Sequence, residues 1–128
     1  MIRLLSFMTL SFMSVATLAA DIFMTELTDP QNSSDAGRYV ELYNSGSDAV
    51  DLAAGYAMTR WTNGNADPQS PVPLSGTVLP GGFFIICTDE DKHLAVYGSA
   101  CDLDIGTGGP ADSNGDDNMA LLHDNVIV

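Results

Sequence analysis

The sequence predicts an all-β domain with one short helix, behind an apolar leader. Three observations carry that prediction. Apolar residues come in short runs separated by clusters of Gly, Pro, Asn, Asp and Ser, and no stretch sustains a helical period. Residues 38–44 alternate inward and outward side chains, as a strand with one solvated face does. Turn signals recur between nearly all of these runs, the mark of a β-sandwich.

The leader comes first. Arg3 is the only charge in residues 1–20, and residues 4–18 are apolar apart from small hydroxyl side chains. The stretch ends in Ala16, Thr17, Ala19 and Ala20, which completes the pattern of a secretory signal peptide. It is short for a membrane-spanning helix, which needs about 20 apolar residues. Cleavage after Ala19 or Ala20 fits, with residues 21–128 as the domain that follows.

Residues 22–28 form the first expected strand, which stops at Asp29-Pro30 because proline cannot donate to a ladder. Residues 31–37 read as a polar loop. In the second strand, residues 38–44, Val40 and Leu42 share one face and Tyr39, Glu41 and Tyr43 the other. A turn at 44–47 leads to a short run, 49–52, and after Ala54-Gly55 the chain extends again over 56–61. Residues 62–73 form a long loop with three Asn or Asp residues and three prolines, and loops of this length are often functional or mobile.

Residues 74–79 read as a strand and Pro80-Gly81-Gly82 as a turn. Residues 83–87 are a continuous apolar run, the strongest core strand. The one helix covers 89–97, with Thr88 as its cap, Glu90 and Asp91 near its positive end and Gly98 as its stop. Residues 101–118 are a Gly/Asp-rich loop, 119–123 a strand, Asp124-Asn125 a tight turn, and 126–128 the start of another strand. The sequence stops inside an apolar hairpin, so a fragment with an incomplete last strand is expected. The expected inward set is Val40, Leu42, Leu52, Leu79, Phe84, Ile86 and Leu121, with Met119 or Ala120.

Beyond residue 20 the three bases Arg38, Arg60 and Lys92 face 17 acids, a net charge of −14. Such a surface repels phosphate backbones and anionic lipid, which argues against nucleic-acid binding by this domain and against stable membrane insertion once the leader is gone. It suits cations, cationic partners or solubility in a salty medium. Export places Cys87 and Cys101 in an oxidising compartment, where an even count reads as a disulfide. The expected location is extracellular, at the cell surface or in a periplasm.

Several segments resemble the lamin tail domain family. Met24-Thr25-Glu26-Leu27 matches its opening strand, and Arg38-Tyr39-Val40-Glu41-Leu42-Tyr43-Asn44 its Val-Glu-Leu-Tyr-Asn strand. Val50-Asp51-Leu52 through Gly55-Tyr56 matches the next motif, with Tyr56 where the family has Trp. Gly76-Thr77-Val78-Leu79-Pro80-Gly81-Gly82-Phe83-Phe84-Ile85-Ile86 and Asn114-Gly115-Asp116-Asp117-Asn118-Met119-Ala120-Leu121 complete the series. Each match is short, and their order over residues 21–128 gives the resemblance its weight. The resemblance implies an immunoglobulin-like antiparallel β-sandwich. Its cysteine pair is placed as in exported bacterial members. It further implies a non-catalytic interaction module whose partner is a protein or a cell-surface polymer. The alternative is an accessory module at the N-terminal side of a secreted hydrolase, a nuclease or phosphatase.

No residue set marks catalysis. The resemblance implies that Glu26 and Glu41 lie on neighbouring strands; an acid–base carboxylate pair is one reading, and the favoured one is outward residues bonded to loop backbone or paired with a cation such as Arg38. Asp112, Asn114 and Asp116 repeat the first ligand positions of a calcium loop, with Asp117 beside them and Asp102 and Asp104 nearby. Asp117 stands where that loop needs Gly, and His123 where it needs Glu, so a plain turn leading into the strand is favoured over calcium-dependent adhesion. Nothing brings His93 and His123 together. Trp61, beside the long loop, reads as a strand-end aromatic or as a contact for a sugar or protein. No cofactor is expected, calcium being the single candidate.

Overall fold

A computed structural model of the chain describes residues 21–28 and 37–128. The expected signal peptide and nearly all of the loop expected at 31–37 lie outside the described residues. The elements in order are β1 (Ile22–Leu27), β2 (Tyr39–Asn44), β3 (Val50–Asp51), β4 (Tyr56–Trp61), β5 (Val72–Pro73) and β6 (Thr77–Val78). They are followed by β7 (Phe83–Cys87), α1 (Glu90–Tyr97), β8 (Leu103–Asp104), β9 (Asn118–His123) and β10 (Val126–Ile127). They form a β-sandwich. Sheet one has the order β1-β2-β7-β8, sheet two the order β10-β9-β4-β5, and β3 pairs with β6 as a short ribbon.

The two sheets share one core. Ile22, Val40, Leu42, Phe84 and Ile86 come from sheet one and Met58 and Leu121 from sheet two, with Leu52, Leu74, Val78 and Ala111 closing the ends. Alternation along β2 and β7 puts Val40, Leu42, Phe84 and Ile86 inward, as their spacing requires. Asn44 also points inward and is fully buried, yet its amide is satisfied. It donates to the carbonyls of Asp48 (2.8 Å) and Val78 (2.9 Å) and accepts from the Gly46 N–H (2.9 Å). A buried amide bonded on both sides fixes the turn after β2 against β6.

The expected inward Leu79 is a correction: it is 65% exposed, and Val78 takes the core position at 1%. Residues 74–79 do not form one strand. Val72–Pro73 pairs with β4 and Thr77–Val78 with β3, so the register moves one residue and the face reverses. Gly76 between them sits at φ 114°, and a Cβ there would lie 2.7 Å from the Phe84 ring.

Residues 101–118 are not all loop. Leu103–Asp104 pairs in parallel with β7, Ile86 opposite Leu103 and Cys87 opposite Asp104, so the sandwich is not purely antiparallel. A parallel pair needs a crossover, and α1 supplies it. The helix is capped by Asp89 rather than Thr88: the Asp89 carboxylate accepts from the Lys92 N–H at 3.0 Å. Gly98 ends the helix with φ 77°. The disulfide Cys87–Cys101 closes the crossover over a separation of 14 residues. Asp124 and Asn125 have φ values of 50° and 65°, the left-handed pair of a tight hairpin turn between β9 and β10.

Two predictions follow from this packing. Leu42→Ala should cost about 2–5 kcal/mol, while the same change at exposed Leu79 should stay within about 0.5 kcal/mol, as read by urea denaturation. Replacing both cysteines by alanine should cost roughly 3 kcal/mol by the chain-entropy estimate for such a loop.

Candidate functional site

Two regions of the sandwich bring polar or aromatic side chains together in numbers. The first is the loop between β8 and β9, which holds the acids singled out in the sequence. Arg60 projects from β4 and is buried. Its Nη1 lies 3.0 Å from Asp117 Oδ2 and also donates to the Asp112 carbonyl, and its Nη2 donates to the Gly108 carbonyl at 3.3 Å. Arg38, just before β2, donates from Nη1 to Asp112 Oδ1 at 2.6 Å. The other Asp112 oxygen accepts the Gly108 N–H at 2.7 Å. Asp117 Oδ1 accepts the Asn63 N–H at 2.9 Å, and the Asn63 side-chain amide faces the Asp116 carboxylate.

Asp112, Asp116 and Asp117 are therefore each held by groups of the protein, and Asn114 is exposed. Among the described residues no three His, Cys, Asp or Glu side chains are grouped to hold a metal ion. Chemically the arrangement is a clamp, with two arginines from the two sheets fastening one acidic loop. Burial alone would raise the Asp112 carboxyl. The Gly108 N–H and the Arg38 guanidinium outweigh it and hold the group below its ordinary value of 3.8.

The second region is the outer face of sheet one. The register places Phe23 opposite Tyr43 and Tyr43 opposite Phe83. Their rings form a ladder, with centroids 5.7 Å apart for Phe23–Tyr43 and 4.9 Å for Tyr43–Phe83. Phe83 is 59% exposed and Phe23 is exposed too, so the ladder faces solvent. One step along, a bulge between Met24 and Glu26 sets Glu26 opposite Glu41. The Thr25 hydroxyl donates to Glu41 Oε1 at 2.7 Å, and Tyr39 hydrogen-bonds Glu26. Neither carboxylate pairs with Arg38, which corrects that expectation: Arg38 is drawn to Asp112 instead. At the far end Tyr39 is buried under α1, its ring edge-on to His93 (5.4 Å) and Tyr97 (5.2 Å). Its hydroxyl is pushed up to about 12, by burial first and then by the charge and hydrogen bond of Glu26.

The remaining candidates lie apart. Trp61 is half-buried at the end of β4, opposite Asn118 in sheet two. The loop beside it is tied down, with the Thr59 hydroxyl donating to the Gln69 carbonyl at 2.7 Å and the Gln69 amide to the Thr62 hydroxyl at 3.1 Å. His123 stacks on Tyr56 at 4.3 Å in sheet two, while His93 sits over sheet one. A shallow cleft of about 210 Å³ opens between β1 and Met119, lined by Met24, Thr25, Glu26 and Leu27. A second of about 390 Å³ lies between Gly55, Pro71, Pro73 and the β9–β10 turn. No helix among the described residues is long and apolar enough to cross a membrane. No protein-family model and no curated protein matches the chain.

The clamp makes two predictions. Arg60→Met should cost about 3–5 kcal/mol in denaturant melts, because it leaves Asp117, with its side chain 1% exposed, as an unpaired buried charge. The Asp112 carboxyl is depressed in the folded state, so its contribution is full above the unfolded pKa and is lost as pH falls through the lower folded value. Asp112→Asn should therefore flatten the loss of stability on acidification below about pH 4.

Proposed function

We propose that the chain is a non-catalytic interaction module of lamin tail type that docks a partner on the outer face of sheet one. The carrying observation is the Phe23–Tyr43–Phe83 ladder, three neighbouring rings on a sheet face with two of them exposed. Contiguous exposed aromatics mark interaction surfaces, whereas isolated ones do not. The resemblance supports this reading. Its Val-Glu-Leu-Tyr-Asn motif and its Pro-Gly-Gly-containing motif fall on β2 and β7, the strands that carry Tyr43 and Phe83. The apolar leader and the paired cysteines support export, so the partner is met outside the cytoplasm.

A peptide library displayed on phage and selected on the protein tests the docking reading, with the Phe23→Ser/Phe83→Ser double variant as counter-target. Both rings are exposed, so losing their cross-strand contacts should cost about 1 kcal/mol or less apiece and leave the fold intact. Selected peptides should bind the parent protein and not the variant. Peptides that bind both equally would place docking elsewhere.

A further inference from the structure

The outer face of sheet one sets two carboxylates beside its rings. Glu26 and Glu41 are register partners across β1 and β2, just past the bulge at Thr25, and like charges paired across strands repel. The groups that donate to them are neutral hydroxyls, Thr25 to Glu41 and Tyr39 to Glu26. Neither forms an ion pair among the described residues, where the arginine salt bridges go to Asp112 and Asp117. The negative field on this face is strong enough to help push the neighbouring Tyr39 hydroxyl to about 12, after burial.

We propose that the partner docked on this face is a basic polypeptide segment. Its Lys or Arg stems lie on the Phe23–Tyr43–Phe83 rings, and their charges are set against Glu26 and Glu41. This deepens the docking reading and rests on it. Three physical terms favour such a partner at one place. Aromatic faces attract ammonium and guanidinium groups. Long basic side chains cover apolar surface with their stems while keeping the charge solvated. A cation between the two carboxylates also turns a repulsion into two attractions. Over the whole molecule, 17 acids against three bases beyond residue 20 steer cationic partners inward and turn polyanions away.

The test is fluorescence anisotropy with a labelled peptide of alternating lysine and threonine, at low and at physiological salt. The parent protein should bind it, more weakly as salt rises. Glu26→Gln/Glu41→Gln should weaken binding by about tenfold or more. Asp48→Asn/Asp67→Asn removes the same number of charges from exposed sites elsewhere and should leave the affinity unchanged. The melting midpoint of the glutamine variant should stay level or rise, because a repulsion is removed. Equal weakening by the two double variants would mean attraction to overall charge and would overturn the assignment, as would no binding to the parent. Either failure leaves the ring-dependent peptide selection standing or falling separately, so the partner's charge and the docking face are judged apart.

Discussion

The pairing register of β2 is the constraint on which the rest of the sandwich depends. β2 lies between β1 and β7, and its period of two sends Val40, Leu42 and Asn44 into the core and Tyr39, Glu41 and Tyr43 outward. A slip of one residue would turn Glu41 and Tyr43 into the core and expose the core set. Register also builds the outer surface, because it aligns Phe23, Tyr43 and Phe83 into one ladder and Glu26 with Glu41. Asn44, bonded to Asp48, Val78 and Gly46, holds the end of the strand in that register.

The second constraint is charge. A small, strongly acidic domain spends two of its three bases beyond residue 20 on one loop. Arg38 from the sheet-one side and Arg60 from sheet two meet at Asp112, so the loop before β9 is fastened to both layers. A loop rich in Gly, Asp and Asn has little apolar surface beyond Pro110 and Ala111 with which to order itself, and the two arginines add to what those contacts supply. The outer face of sheet one is left with a carboxylate pair that, among the described residues, has no arginine of its own, and this sets the character of that surface.

Much of the fold is legible in the sequence. β4 and β7 have their expected bounds, because a turn signal precedes each and their apolar pattern is long. Leu79 misled because two short ribbons flanking Gly76 look, by composition, like one strand. Asp89 displaced Thr88 as the cap because both residue types suit that position and only backbone geometry chooses between them. The clamp is hidden in the sequence, since Arg38 and Asp112 are distant along the chain and the acidic segment reads there as a plain turn, with calcium as the alternative. The ladder was half visible. The alternation of residues 38–44 places Tyr43 outward, but its alignment with Phe23 depends on the bulge beside Thr25, and no local sequence signal announces that bulge.

Amide shift mapping by NMR, with the lysine–threonine peptide added to isotope-labelled protein, addresses the docking surface most directly. Docking on sheet one predicts shifts concentrated on β1, β2 and β7 around Phe23, Glu26, Glu41, Tyr43 and Phe83. Shifts confined to the loop at residues 105–118, or scattered over every acidic segment, would contradict it.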